Sequence, residues 1–245
     1  MAAPTFTNLT SGNDVTDRST YTTASVSPTA NRLILVSVTA FDNVAVQPPL
    51  PAVTGNGITY DVIHATNGNA IVDSSGADRA NVYVFRGMSA SPSSGTISIA
   101  FSGLTSDGLL NALSWSVDMS DASVETSGTN GSGAIGNTTK QDDDGSGTSA
   151  TANITINSGN GGFAACASQA GAGITQRASW TELSDVGAGS TFLETQYIAA
   201  TDTAVSATHA SARSGIIGAE IVALAAATGK AGNYRRYPSR GLTMR

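Results

Sequence analysis

Apolar and polar residues alternate one by one along much of this chain. In "GTISIAF" the apolar positions are Ile97, Ile99 and Phe101, and "NALSWSVDM" and "ATANITI" have the same period. Because successive side chains of a strand point to opposite faces, this period predicts strands with one buried and one solvent-facing side. The same reading predicts further strands over 20–26, 32–41, 57–65, 80–88, 162–168, 191–199, 203–209 and 216–224.

Two runs, "RLILVSVTAF" and "IIGAEIVAL", are apolar on nearly both faces, so we expect them to lie in the middle of a sheet. Clusters rich in proline and glycine, such as "VSPTAN", "QPPLPAVTGNG" and "SASPSSG", separate the strands and predict turns. About ten to twelve short strands with turns every 8–12 residues indicate an all-β fold. We predict a single antiparallel β-sandwich of jelly-roll type over residues 20–228, after an N-terminal segment 1–19.

One stretch breaks the alternation. From Ser127 to Ser149 the chain has almost no apolar residue. A polar stretch of this length predicts a long, flexible Gly/Ser/Asp-rich loop over 127–149. The loop could separate two domains, but the strands on either side share one pattern, which favours one sandwich with a long excursion.

Composition adds a low charge content to this picture. Only 12% of residues are charged, against about 25% in an average protein, and Ser and Thr make up about a quarter of the chain. A neutral polar surface of this kind is typical of extracellular β modules and virion proteins. Cys166 is the sole cysteine, so no intrachain disulfide can form, and its strand-like context predicts a buried filler. We expect no secretory signal, no membrane span and no membrane partner.

Positive charge is concentrated at the C terminus. The chain has twelve Lys and Arg against eighteen Asp and Glu; five of the twelve lie in residues 229–245, which leaves the rest near −11. A body of that charge repels polyphosphate, which argues against a nucleic-acid partner. We expect the segment 229–245, here called the C-terminal arm, to dock on a neighbouring subunit. Contact with nucleic acid and a passive tail are the alternatives. The predicted interaction residues are Lys230, Tyr234, Arg235, Arg236, Tyr237, Arg240 and Arg245.

No catalytic signature is evident. The two histidines, His64 and His209, end predicted strands, and no G-x-S-x-G motif accompanies them. Two carboxylates could serve a glycosidase, but a sequence does not fix their separation. The acids available for this are Glu125, Glu182, Glu194 and Glu220. We therefore predict a protein that is not an enzyme, with no catalytic residue and no cofactor.

Two acidic features have structural explanations. Glu220 interrupts an apolar run, and we expect it to pair with Arg86 or to lie on an outer face, since a buried carboxylate needs a partner. Asp142–Asp144 form a consecutive run before a glycine. Calcium loops usually place their acids at alternate positions, so we favour a solvated turn and predict no metal site, with a bound cation as the alternative.

Few aromatic residues are available for ligand binding. Trp115 lies on the apolar face of its strand and is expected in the core. Trp180 precedes a polar turn, and with Tyr197 it is the one candidate platform for stacking a sugar ring, although a core or rim position is the favoured reading.

Several segments, taken in order, resemble a loosely characterised family of β-sandwich proteins and modules from tailed phages and bacteria. They are "SPTANRLILVSVTA", "VTGNGITYDVI", "NVYVFRGMSASPSSGTISIAFSG", "LSWSVDMSDASVETSGTNGSGAI", "SWTELSD" and "TQYIAATDTAVSAT". The resemblance runs from about Ser27 to Ala223 and does not include the C-terminal arm. It implies an all-β fold and often a virion context, and it carries over no site residues.

These observations predict a non-enzymatic structural protein of a tailed-phage virion, on the capsid as a decoration protein or in the tail. Its expected partners are other virion subunits and copies of itself, and its expected location is the virion after assembly in the host cytoplasm. The alternative is a carbohydrate-binding β-sandwich module for host or surface attachment, with a surface glycan as its ligand. A glycan-cleaving enzyme is a third class and has the least support.

Overall fold

The computed structural model describes residues 2–44, 46–64, 69–74, 78–104, 109–169 and 173–225, without the side chains of 143 and 144. These residues form fifteen strands and one short 3₁₀ helix, Thr129–Ala134. The strands are β1 (Phe6–Asp14), β2 (Thr20–Thr22), β3 (Ile34–Asp42), β4 (Ala52–Gly55), β5 (Ile58–Val62), β6 (Asn69–Asp73), β7 (Arg79–Gly87), β8 (Ile97–Ala100), β9 (Ala112–Ser120), β10 (Ile135–Asn153), β11 (Gly161–Gln169), β12 (Ile174–Gln176), β13 (Thr181–Ala188), β14 (Thr191–Ile198) and β15 (Ala204–Ile221).

The first sheet contains nine strands and curls around its own apolar face. Its order is β1-β9-β3-β7-β5-β4-β8-β2, with β6 paired to β7, and each recorded pair is antiparallel. The far end returns towards β9, because Arg18, just before β2, forms an antiparallel bridge with Leu110. The hydroxyl of Tyr21 donates to the Leu110 carbonyl at 2.9 Å and fastens the same contact.

The second sheet contains six strands and is folded by two long members. Its order is β10-β15-β11-β14-β13, with β12 paired to β15. The ladder between β10 and β15 shifts its register on both sides of Gly147. Beyond these shifts the β10–β15 ribbon continues over the sheet, so that Ala152 and Val205 pack in one cluster with Cys166 of β11.

Three apolar cores result from this layering. The central core joins the two sheets and includes Phe6, Leu35 and Val84 from the first sheet with Phe163 and Ile217 from the second. An N-terminal core lies inside the curled first sheet; its members include Ile34, Val36, Tyr83, Ile99 and Trp115. A C-terminal core lies under the folded ribbon of the second sheet; its members include Ile156, Cys166, Trp180, Ile198 and Ile216.

Because each sheet has a core on both sides, its middle strands are buried on both faces. Eight of the nine residues of β3 and of β9, and all nine of β11, are buried. The prediction that each strand has one solvent-facing side is therefore wrong for β3, β9 and β11. In "LSWSVDM" the alternate residues Ser114, Ser116 and Asp118 have no exposed surface and face the second sheet.

The all-β antiparallel prediction is confirmed, and its jelly-roll form stays a prediction. The apolar runs expected mid-sheet lie there: β3 has β9 and β7 as neighbours, and β15 has β10 and β11. The strands predicted over 203–209 and 216–224 are two ends of the single strand β15. Fifteen strands replace the expected ten to twelve. Among the residues described, no helix is both long and apolar enough to cross a membrane.

Two predicted boundaries need correction. The stretch 127–149 is not a loop: it contains the 3₁₀ helix and most of β10, which pairs with β15 almost throughout. The stretch 1–19 is not a segment outside the sandwich, because it contains β1. This strand pairs with β9 and places Phe6 against Phe163 with ring centroids 5.6 Å apart.

Candidate docking site

The predicted interaction residues lie outside the residues that the structure describes. They are Lys230, Tyr234, Arg235, Arg236, Tyr237, Arg240 and Arg245. The described chain ends at Ala225, and the surface around that end can be characterised. A cleft in the first sheet lies on this part of the molecule.

The cleft begins at a tight hairpin between β4 and β5. Asn56 and Gly57 occupy the turn with φ of 58° and 64°, the pattern of the type I′ turns that asparagine-glycine pairs favour. The Asn56 side-chain amide fixes the turn by donating to the carbonyls of Ser93 and Gly95 at 2.9 and 3.0 Å.

Beyond the turn the two strands separate. Their ladder contains only two residue pairs, Thr54 with Thr59 and Gly55 with Ile58. From there β4 continues along β8 through Ala52, whereas β5 continues along β7 through Val62. The sheet therefore opens into a V between two strands whose facing edges have no shared ladder.

The space inside the V is an open, mostly apolar cleft of about 520 Å³. Its lining comes from β4, β5, the residues before β4 and one residue of β7: Leu50, Pro51, Ala52, Val53, Thr54, Ile58, Thr59, Tyr60, Asp61, Val62 and Phe85. Leu50 is 47% exposed, one of the few large apolar side chains that face solvent among the described residues. The Tyr60 hydroxyl oxygen is buried and has no hydrogen-bond partner among the same residues.

The wall that leads into β4 is held by hydrogen bonds to β7. The Pro48 carbonyl accepts from the Asn81 side-chain amide at 2.9 Å and from the Tyr83 hydroxyl, which also donates to the Pro49 carbonyl at 3.1 Å. A proline-rich segment has little backbone freedom to begin with. The cleft is therefore preformed rather than dependent on closure around a ligand.

An acidic residue and the last described residues lie close together beside the cleft. Asp61 accepts from the Asn130 side-chain amide at 3.1 Å and lies 3.5 Å from Arg86, so the 3₁₀ helix rests on the cleft rim. The last residue of that helix is tied to the end of the described chain, since the Val222 N–H donates to the Ala134 carbonyl at 2.9 Å. The 3₁₀ helix therefore contacts both the rim of the cleft and the last described part of the chain.

The predicted pair of Glu220 with Arg86 is wrong. Glu220 is 3% exposed, and amide groups surround its carboxylate. The backbone and side-chain N–H groups of Asn137 and Asn157, together with the Asn160 side chain, donate to it at 2.7–3.2 Å. Burial opposes ionisation, but these hydrogen bonds outweigh it and hold the pKa of Glu220 below its ordinary value. Its role is to fix the chain before β11.

Glu194 differs from Glu220 in that its pKa is raised rather than lowered. It lies on β14 between Cys166 of β11 and Asp185 of β13, and neither of its buried carboxylate oxygens has a hydrogen-bond partner among the described residues. Burial, and then the charges of Glu182, Asp185 and Asp118, raise its pKa to about 9. The side chain is therefore protonated at neutral pH. Burial, and then the charges of Glu194 and Asp185, raise the pKa of the Cys166 thiol.

A buried polar network crosses from the first sheet to the second. Asp118 accepts from the Asn8 side chain and from the Ser116 hydroxyl, each at 2.9 Å. Ser116 in turn accepts from Thr195 of β14 at 3.2 Å, and Thr195 lies 3.1 Å from the Ser184 hydroxyl. Burial raises the pKa of Asp118 to about 7, against the effect of its hydrogen bonds. The network joins four strands at the interface of the two sheets.

The proposed sugar-stacking platform is not formed. Trp180 is 5% exposed, packs in the C-terminal core and donates from Nε1 to Asp202 at 2.9 Å. Tyr197 lies on the other side of its sheet, where it packs near Phe6 with ring centroids 6.1 Å apart. The two rings therefore face different cores. The core positions of Trp115 and Cys166 are confirmed.

The remaining polar candidates have local structural contacts. His64 is half-buried as expected, and His209 is buried, with Nδ1 2.7 Å from the Ala210 carbonyl. The predicted turn at Asp142 is wrong, because this residue lies in β10, accepts from the Ile71 N–H at 2.7 Å and pairs with Lys140. No group of three or more His, Cys, Asp or Glu within the described ranges is arranged to hold a metal ion.

Comparison with known proteins gives no assignment. The chain matches no family model and no curated protein.

The cleft was not predicted from the sequence, although "PAVTGNGITYDV" contains its turn. An Asn-Gly pair indicates a hairpin, but only the separate pairing of its two strands with β8 and β7 opens the cleft.

Proposed function

We propose that this protein is a non-enzymatic structural subunit that docks on neighbouring subunits of an assembly through its C-terminal arm. The observation that carries the proposal is the separation of charge. The body has seven basic against eighteen acidic side chains, whereas the arm has five basic residues and no acidic one. Opposite charges on two parts of one chain make copies of it complementary.

Ion pairs engage basic side chains of the body itself. Among the described residues, those within 4.0 Å of an aspartate include Arg18, Arg86, Lys140, Arg177 and Arg213. Pairing leaves the net charge of the body unchanged: its formal surplus is eleven acids, or ten with Glu194 protonated, and this surplus attracts a cationic segment. Such attraction between exposed charges is screened beyond about 10 Å at 0.1 M salt, so we expect docking to weaken as salt rises.

The assembly we infer is the virion of a tailed phage, with the protein on the capsid surface or in the tail. What favours a virion is the resemblance of segments from about Ser27 to Ala223 to β-sandwich proteins and modules of tailed phages and bacteria, often in a virion context, and the abundance of Ser and Thr. A repeated shell also suits a short docking arm, because many weak contacts add up to stable attachment.

The experiment compares the full chain with a full-length variant in which Arg235→Gln, Arg236→Gln and Arg240→Gln are combined, and with a chain that ends at residue 228. Sedimentation velocity at low and high salt measures association, and incorporation into particles is scored on gradients. We expect both variants to keep the circular dichroism spectrum and to lose association and incorporation. Arm variants that associate and incorporate normally would overturn the proposal.

The matched control replaces an equal number of body cations that already have partners. Arg18→Gln, Lys140→Gln and Arg177→Gln together remove the same charge from the chain. If position rather than net charge matters, this variant associates as the unmodified protein does. Equal losses in both triple variants would count against a specific role of the arm.

A further inference from the structure

We infer that the cleft between β4 and β5 binds the C-terminal arm of a second copy of this chain as an added strand. The inference rests on the proposed function and deepens it by naming the surface that receives the arm. It draws on the unpaired strand edges, the lining of the cleft and the place where the described chain ends.

The cleft offers two strand edges to one extended peptide. Ala52 and Val53 are paired with β8 on one side, and Tyr60, Asp61 and Val62 are paired with β7 on the far side. Their other edges face each other across the V, beyond the last shared pair. Backbone N–H and C=O groups at such edges are templates for another strand. A peptide in the V could continue the sheet from β5 to β4, as in β-augmentation.

The lining suits the residue types of the arm. Apolar side chains such as Leu50 and Phe85 form the walls and floor, and the half-exposed Asp61 lies at the rim. In the arm, "NYRRY" ends before Pro238, so a strand there would present one tyrosine and one arginine on each face. Tyrosine can fill an apolar cleft, and arginine can reach the acidic rim. Proline has no N–H and would end the added ladder.

The length of the arm and its starting point permit exchange between copies. Twenty residues, 226–245, follow the described chain, and at about 3.3 Å each they reach at most about 66 Å. The described chain ends beside the segment that precedes the 3₁₀ helix, because the Leu224 N–H donates to the Ser123 carbonyl at 2.6 Å. That helix contacts Asp61 through Asn130. The end of the described chain is therefore linked to the rim of the cleft through one helix.

The test uses the full chain with one cleft variant and one matched control. Ala52→Arg places a bulky cation in the cleft at an exposed position, and Thr151→Arg adds the same residue at an exposed position of β10. We expect Ala52→Arg to weaken self-association about tenfold or more, in line with a blocked and repelled docking strand. Thr151→Arg should leave it within about twofold. Melting temperatures confirm that both variants fold.

Hydrogen exchange gives a readout that a loss of stability alone would not produce. Amides of 52–53 and 60–62 should exchange more slowly as protein concentration rises, and a synthetic peptide of residues 229–245 should compete for association. Equal association of both variants, with no protection at these amides, would overturn the assignment of the cleft as the docking surface. The proposed docking role of the arm would not be affected. Protection independent of concentration would mean that the chain's own arm fills the cleft, which overturns the second-copy assignment.

Discussion

Replacing Glu194 with glutamine should stabilise the protein at pH 8 and change its stability little at pH 4.5. Glu194 has no exposed surface, and its carboxylate oxygens have no hydrogen-bond partner among the described residues. The ionisable groups that raise the pKa of this carboxyl are the acids Glu182, Asp185 and Asp118, so no positive charge compensates it. Glutamine keeps the size and shape of the protonated acid but cannot acquire the buried negative charge.

The magnitude follows from the two protonation equilibria. The pKa of Glu194 rises from an ordinary value of 4.5 in the unfolded chain to about 9 in the folded protein. Between these values the folded state holds a proton that the unfolded state has released, so stability falls as pH rises. The slope approaches roughly 1.4 kcal/mol for each pH unit once the unfolded carboxyl is ionised, and the fall between pH 4.5 and pH 8 is about 4 kcal/mol. The Glu194→Gln variant does not incur this loss.

Urea unfolding followed by tryptophan fluorescence measures the effect, because Trp115 and Trp180 are both buried. The decisive quantity is the difference in unfolding free energy between variant and unmodified protein at each pH, which cancels the titration of groups that do not interact with Glu194. Glu125→Gln is the control: hydrogen bonds from the backbone N–H groups of Ser127 and Thr126 lower the pKa of this carboxyl, so the variant should gain no stability relative to the unmodified protein as pH rises. Parallel pH profiles for Glu194→Gln and the unmodified protein would refute the reasoning.

Three further predictions test the fold. Gly55→Ala should destabilise the protein by about 2 kcal/mol or more in urea unfolding, since φ is +142° and a Cβ would lie 2.5 Å from the Thr96 carbonyl oxygen; Gly159→Ala, at positive φ in open space, should cost only about 1 kcal/mol. Glu220→Ala should lower the unfolding free energy by roughly 3 kcal/mol or more, because five hydrogen bonds to this buried carboxylate are lost; an unchanged melting temperature would contradict this. Cys166 should react with a thiol reagent only after unfolding, because it is fully buried and its thiol pKa is raised; fast labelling of the native protein would contradict it.

Alternation along the chain predicted six of the nine strands of the first sheet, but it missed β1, β4 and β6 and did not show what covers the sheet. A period of two identifies the two faces of a strand, and it predicts that the polar face is exposed to solvent. In β9 that face carries Ser114, Ser116 and Asp118, and the second sheet covers it completely. Small hydroxyl side chains can occupy either environment, and only the packing of one sheet on another decides between them.

The strand β10 shows a different limit. Its sequence, "IGNTTKQDDDGSGTSATAN", has few apolar residues, and composition alone favours a loop. The strand exists because β15, an apolar strand at the middle of its sheet, pairs along it from Ile135 to Asn153. Long-range pairing therefore overrides local preference, as it commonly does for sheets. Gly136 also has a specific role, because a Cβ there would lie 2.5 Å from the Glu220 carboxylate.

The polar network between the sheets bears on how docking can work. Apolar contacts alone allow two sheets to slide, whereas hydrogen bonds that must all be satisfied specify one arrangement. The chain from Asn8 through Asp118 and Ser116 to Thr195 supplies such bonds across the interface. It holds the two sheets in a single arrangement, and the wall of the cleft is tied to β7 by the Pro48 carbonyl. Because the receiving surface is already ordered, the conformational cost of docking falls on the arm alone, and shortening or stiffening the arm should change affinity more than any substitution in the central core that preserves the fold.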